Sequence, residues 1–77
     1  MKSETMAMMS GKLYIEIRDK LNNNETCTYN IGTNGKPHTV TLTGIYLDTD
    51  PEFTRNPLQY AKINSDKNVQ VKLEYDE

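Results

Sequence analysis

Across residues 26–47, apolar and polar positions alternate on either side of a single break. Val40 and Leu42 fall on one side of an extended chain and Thr39, Thr41 and Thr43 on the other, the period of two that marks a half-buried strand. Before them, Cys27, Tyr29 and Ile31 share a face in the same way. The break reads Thr33-Asn34-Gly35-Lys36-Pro37. An Asn-Gly pair between two such runs predicts a tight hairpin, because both residues tolerate positive φ. Gly44 then interrupts the second run, and Ile45, Tyr46 and Leu47 follow as a continuous apolar stretch. A glycine inside a strand marks a bulge or a close backbone approach. A strand that bends there and becomes covered on both faces turns a corner in the manner of small barrels.

The cleanest alternation lies near the end, where Val69, Val71, Leu73 and Tyr75 alternate with Gln70, Lys72 and Glu74. This predicts a strand with one buried and one wet face. Residues 12–21 support two readings. Leu13, Ile15 and Ile17 alternate with Lys12, Tyr14, Glu16 and Arg18, as in a strand, whereas Met6, Met9, Leu13, Ile17 and Leu21 recur at helical spacing ahead of Asn22-Asn23-Asn24. Gly11 and the β-branched Ile15 and Ile17 favour the strand, with a helix over residues 6–21 as the alternative. Residues 1–11 hold all 4 methionines, show no period and close on Ser10-Gly11. They read as a flexible tail, or as a Met-rich docking segment. Between the strands, Asp50-Pro51-Glu52 has the grammar of a helical turn, and Asn56-Pro57-Leu58-Gln59 repeats it with Gln59 in the capping-box position. A helix from 57 to about 63 therefore competes with a strand over 59–64. The expectation is a helical turn leading into a short strand.

These elements predict a mainly β fold: a small antiparallel sheet of about five strands, strongly curved or barrel-like, with one or two short helical turns. The alternative is an α+β fold with an N-terminal helix on a four-stranded sheet. The 77 residues amount to one domain, placed at 12–77 behind the tail. The hydrophobic fraction of 35% lies below the roughly 45–50% of typical globular domains. So thin a core leaves either a modestly stable monomer or an oligomer that finishes its core against a copy.

Cys27 is the only cysteine, which rules out an internal disulfide and a cysteine-built zinc site and points to a reducing compartment. The first ten residues lack the apolar run of a signal peptide, and a cytoplasmic location with no membrane partner is expected. A net charge of −2 argues against a general nucleic-acid binder. The abundance of Asn, Thr, Lys and Tyr with only two alanines accompanies AT-rich coding sequence, as in many phages and low-GC bacteria.

Signatures of catalysis do not assemble. His38 is the only histidine and opens a strand, and no nucleophile elbow, phosphate loop or dinucleotide fingerprint occurs. Asp48, Asp50 and Glu52 alternate like the start of a calcium loop, but Gln59 stands where a bidentate Glu would be needed. No catalytic residue, cofactor or metal site is predicted. Two surface features remain. Asp48, Asp50, Glu52, Phe53 and Arg55 form an acidic loop with an aromatic and an Arg side by side, residue types that dominate binding hot spots. On the strand reading, Lys12, Tyr14, Arg18 and Lys20 share one face, and a basic stripe with an aromatic in it can hold single-stranded nucleic acid. The function expected is a non-enzymatic protein-binding module, such as a phage or mobile-element inhibitor or adaptor of a host protein, acting through the acidic loop. The alternatives are a small-barrel RNA or single-stranded DNA binder acting through the basic stripe, and a structural subunit of an oligomer.

Overall fold

The computed structural model describes residues 1–32, 35–48 and 55–76. Strand β1 (Lys2–Ser10) leads into helix α1 (Gly11–Asn22), followed by β2 (Thr28–Asn30), β3 (Thr39–Leu47), helix α2 (Pro57–Ile63) and β4 (Asn68–Asp76). The strands form one antiparallel sheet in the order β1-β4-β3-β2, curled into a half-barrel. The expected small, curved, mainly β sheet is therefore present, with four strands in place of about five.

The last strand in sequence occupies the middle of the sheet because it carries the strongest one-sided pattern. Val69, Val71, Leu73 and Tyr75 are all buried. Their cross-strand neighbours include Met9 and Ala7 on β1 and Ile45 and Leu42 on β3. Both helices close over this same side, α1 through Tyr14 and Ile17 and α2 through Ala61. Each fully buried aliphatic side chain of this kind contributes roughly 1.5–3 kcal/mol. The bend expected at Gly44 is a register shift: Leu42 pairs with Tyr75 and Gly44 with Glu74, leaving Thr43 as the extra residue of a bulge.

Residues 1–11 are not a tail. Nine of them form β1, paired with β4 along its whole length. The pattern was hidden because its polarity is inverted. The inward positions are Ser3, Thr5, Ala7 and Met9, while Met6 and Met8 point outward and are exposed. Pairing with an already formed β4 decides the orientation, which the side chains of β1 alone do not.

Residues 12–21 are helical, against the strand reading. Ser10 is the N-cap, its hydroxyl accepting from the Leu13 amide at 3.1 Å. The next amides are taken by the turn after α2, with Gly11 N donating to Lys67 O at 3.0 Å and Lys12 N to Ser65 O at 3.3 Å. Ser10-Gly11 is thus a helix start. Asn24, with φ 58°, makes the left-handed turn out of α1 that an Asn tolerates. At the hairpin, Gly35 has φ +76°, as a primed turn requires; Thr33 and Asn34 lie outside the described residues. The helix at 57–63 forms as its cap predicts, with the Gln59 amide donating to Asn56 Oδ1 at 3.3 Å. No strand follows over 59–64, because α2 is helical to Ile63 and its end docks on the start of α1.

Candidate functional site

Because both helices pack on one side of the sheet, no element among the described residues covers the other. Cross-strand register turns that outer face into rows. Lys2, Asp76 and Thr41 form the first, Glu4, Glu74 and Gly44 the second, and Met6, Lys72 and Tyr46 the third. The fourth joins Met8 to Gln70, whose carbonyl oxygen accepts from the Asp48 amide at 2.9 Å and whose side chain donates to Asp48 Oδ2 at 3.1 Å. Met6, Met8 and Tyr46 are 46%, 56% and 46% exposed, so apolar side chains collect in the two rows at one end of the face. Ion pairs of 3.5 Å, Lys2–Glu74 and Glu4–Lys72, tie the charged rows together, with Thr43 Oγ1 donating to Glu74 at 3.0 Å.

Tyr46 is the best-held of these groups. Its ring lies over Gly44, where an added Cβ would sit 2.7 Å from the phenolic oxygen. Such a glycine-covering aromatic recurs where a sheet bends. Two cations reach the ring, the Arg18 guanidinium at 5.8 Å and the Lys72 ammonium at 5.6 Å from its centroid, within the range of cation–π attraction. Arg18 also donates to the Ile45 carbonyl oxygen. β2 covers β3 only over Thr39–Thr41, and among the described residues no strand pairs with the rest of this edge, where the helix supplies a donor. Beside the ring opens a cleft of about 290 Å³ lined by Tyr14, Arg18, Ile45, Tyr46, Leu47 and Pro57. An apolar wall, a cationic rim and an aromatic lip are the parts of an anchor pocket for a protein side chain.

The residues singled out from sequence fare unevenly. Asp50, Glu52 and Phe53 lie outside the described residues. Asp48 and Arg55, at the two ends of that stretch, are exposed, and Leu47 and Pro57 just beyond them line the cleft. The basic stripe does not exist as a face. On a helix, residues 12, 14, 18 and 20 spread around the axis. Lys12 and Lys20 are exposed, Tyr14 is buried in the core at 2% exposure, and Arg18 is held against β3. Tyr14 therefore offers no stacking surface to a base. Met6, Met8, Tyr46 and Lys72 were not singled out; only the register of β1, β4 and β3 brings them into adjoining rows.

Among the described residues no group of three or more His, Cys, Asp or Glu is placed to hold a metal ion, and no helix is long and apolar enough to cross a membrane. The fold and the surface define a small half-barrel β domain with an open, mixed apolar and charged sheet face. No protein-family model, curated protein or solved structure matches the chain.

Proposed function

We propose that this chain is a non-enzymatic protein-binding module, an adaptor or inhibitor acting in the cytoplasm, that docks a protein partner on the uncovered sheet face around Tyr46. The observation that carries this reading is the in-register row Met6–Lys72–Tyr46, with the Arg18-lined cleft beside it. Three features favour protein over nucleic acid. Glu4, Glu74, Asp76 and Asp48 stand among Lys2 and Lys72 on this face, so a phosphate backbone would meet carboxylates. Among the described residues the aromatic on this face is a single ring, Tyr46, already engaged by two cations, whereas single-strand binders stack successive bases. Exposed methionines adapt to uneven apolar partner surfaces. The partner chemistry that fits is an apolar side chain for the cleft with a carboxylate nearby for Arg18 and Lys72.

The test is capture from nuclease-treated lysate of the source cell on immobilised wild-type protein and on Tyr46→Ala. A specific protein should be retained by the wild type and bind the variant about thirtyfold more weakly or worse, the loss of about 2 kcal/mol that defines a hot spot. Equal retention by both, or retention that vanishes with nuclease, would remove the reading.

A further inference from the structure

Helix α1 brings one cation into partial burial without an acid to meet it. Arg18 is half-buried, and its guanidinium donates to the Ile45 carbonyl oxygen and lies over the Tyr46 ring. Neither neighbour carries a charge. The ion pairs among the described residues are Lys2–Glu74 and Lys72–Glu4, so none of the described carboxylates pairs with Arg18. A guanidinium drawn out of water ordinarily gains a carboxylate, which its planar fork of N–H groups holds through two parallel bonds. Two clefts flank the Arg18 side chain, and they differ in charge. The one towards α2, of about 330 Å³, is lined also by Glu16, Asp19 and Lys62, so its carboxylates outnumber its one further cation and oppose an incoming anion. The one beside Tyr46, of about 290 Å³, has Tyr14, Ile45, Tyr46, Leu47 and Pro57 as its remaining walls, all uncharged. An anion drawn to Arg18 therefore enters the Tyr46 cleft.

We propose that this cleft takes the free C-terminal residue of a partner protein, with an aliphatic side chain inside and its α-carboxylate on Arg18. The inference deepens the docking reading and rests on it for the partner being a protein. The cleft lies at the small end of the roughly 300–1,000 Å³ range of ligand pockets, which gives room for one side chain and not for a folded segment. Its apolar walls and its single cation must therefore be met by one residue. Inside a chain that is difficult, because an acidic residue next to an apolar one points to the opposite side of an extended backbone. A chain end carries both groups on the same Cα. Capture of a terminal carboxylate is a recurring mode of peptide recognition, and Arg reads a carboxylate through two bonds where Lys offers a point charge. Lys72, the other cation at the Tyr46 ring, is already paired with Glu4, which leaves Arg18 as the anchor.

The probes are N-acetyl-leucine and its C-terminal amide, which differ only in the carboxylate, titrated into the isotope-labelled full chain and followed by amide NMR shifts. The acid should shift Ile45, Tyr46 and Leu47 with a dissociation constant on the order of 1 mM, the scale for so small a ligand. The amide should bind at least tenfold more weakly. Arg18→Gln should bring the acid down to the affinity of the amide, while Lys12→Gln, which removes an exposed cation elsewhere on α1, changes nothing. Acetyl-Ala-Leu, which continues the chain backwards, should bind at least as tightly as acetyl-leucine; a tenfold loss would mark a site for small free acids and overturn the proposal. Acetyl-Leu-Asp-amide matching the acid would overturn it too, by giving Arg18 to an internal acidic residue. So would acid and amide binding alike, or no shifts at about 10 mM, tenfold above the expected constant. Should Arg18→Gln unfold the chain, the acid and amide on the wild type decide. The docking reading is judged separately. If the peptides fail while Tyr46→Ala still loses the captured protein, docking stands and the C-terminal assignment falls. Peptides that bind, with capture indifferent to Tyr46→Ala, keep the assignment and remove the docking face.

Discussion

At the scale of single residues, Gly11 and Gly44 both pack closely, but against different kinds of atom. A Cβ on Gly11 would collide with the backbone carbonyl oxygens of Ala61 and Asn64. Those carbonyls belong to the end of α2 and the turn that accepts the first amides of α1, so they have nowhere to go. A Cβ on Gly44 meets only the end of the Tyr46 ring, which can swing aside. Gly11→Ala should therefore cost about 2–3 kcal/mol, the range for forcing atoms into a filled contact. Gly44→Ala should stay within about 1 kcal/mol of the wild type, since the lost cation–π contact and the gain from removing a strand glycine are each of that order and opposite in sign. Urea unfolding midpoints of the two variants check both, and equal losses would mean that the α1–α2 junction is looser than its geometry implies. From the sequence, Gly11 looked like a terminator because a Ser-Gly pair serves equally as a break or as a cap followed by a close approach. The difference lies in Ala61 and Asn64, fifty residues further on.

At the scale of elements, β1 carries the largest revision. A tail would be dispensable; a strand that covers one side of β4 is not. Deleting residues 2–10 strips the partner from the most buried strand of the sheet and removes Met9 from the core. It also takes away the Ser10 cap of α1, worth about 1 kcal/mol by itself. The truncated chain should lose cooperative unfolding, as monitored by circular dichroism against temperature. A melting temperature within a few degrees of the full chain would show that β4 holds without β1. Helix α1 illustrates the opposite ambiguity. Leu13, Ile15 and Ile17 suit a strand, yet Tyr14 and Ile17 are the residues that reach the core. A twelve-residue helix docked by its first turn buries them together, whereas a strand would point them to opposite faces.

At the scale of the whole molecule, charge and shape act together. The outer face mixes carboxylates with lysines, the exposed Lys12 and Lys20 stand apart from Tyr14, and the chain carries a net charge of −2. Association with nucleic acid by counterion release needs a contiguous basic surface. The full chain should leave a labelled single-stranded oligonucleotide unshifted at physiological ionic strength. A salt-sensitive shift that Lys12→Ala and Lys20→Ala abolish would restore the nucleic-acid reading. The half-barrel shape matters for the protein-binding reading, since with both helices on one side the sheet leaves one broad face for a partner.

What the amino-acid sequence determined by itself are the elements whose signal is local and redundant. These are β4, whose four inward side chains are all large and apolar, the hairpin around Gly35, the break at Gly44, and the capped helix after Asn56. Each is specified by residues within a few positions of one another, through side-chain period or turn stereochemistry. The tertiary structure alone decided the rest. Ser3, Thr5 and Ala7 become inward residues only because β4 offers a ladder to pair with, and Ser10-Gly11 opens a helix only because carbonyls after α2 receive its amides. The candidate site is of the same kind: Met6, Lys72 and Tyr46 stand far apart in the chain and meet through strand register. Register is set by pairing across the sheet, where side chains distant in sequence compete for the same core, and a pattern read along one strand contains no term for that competition.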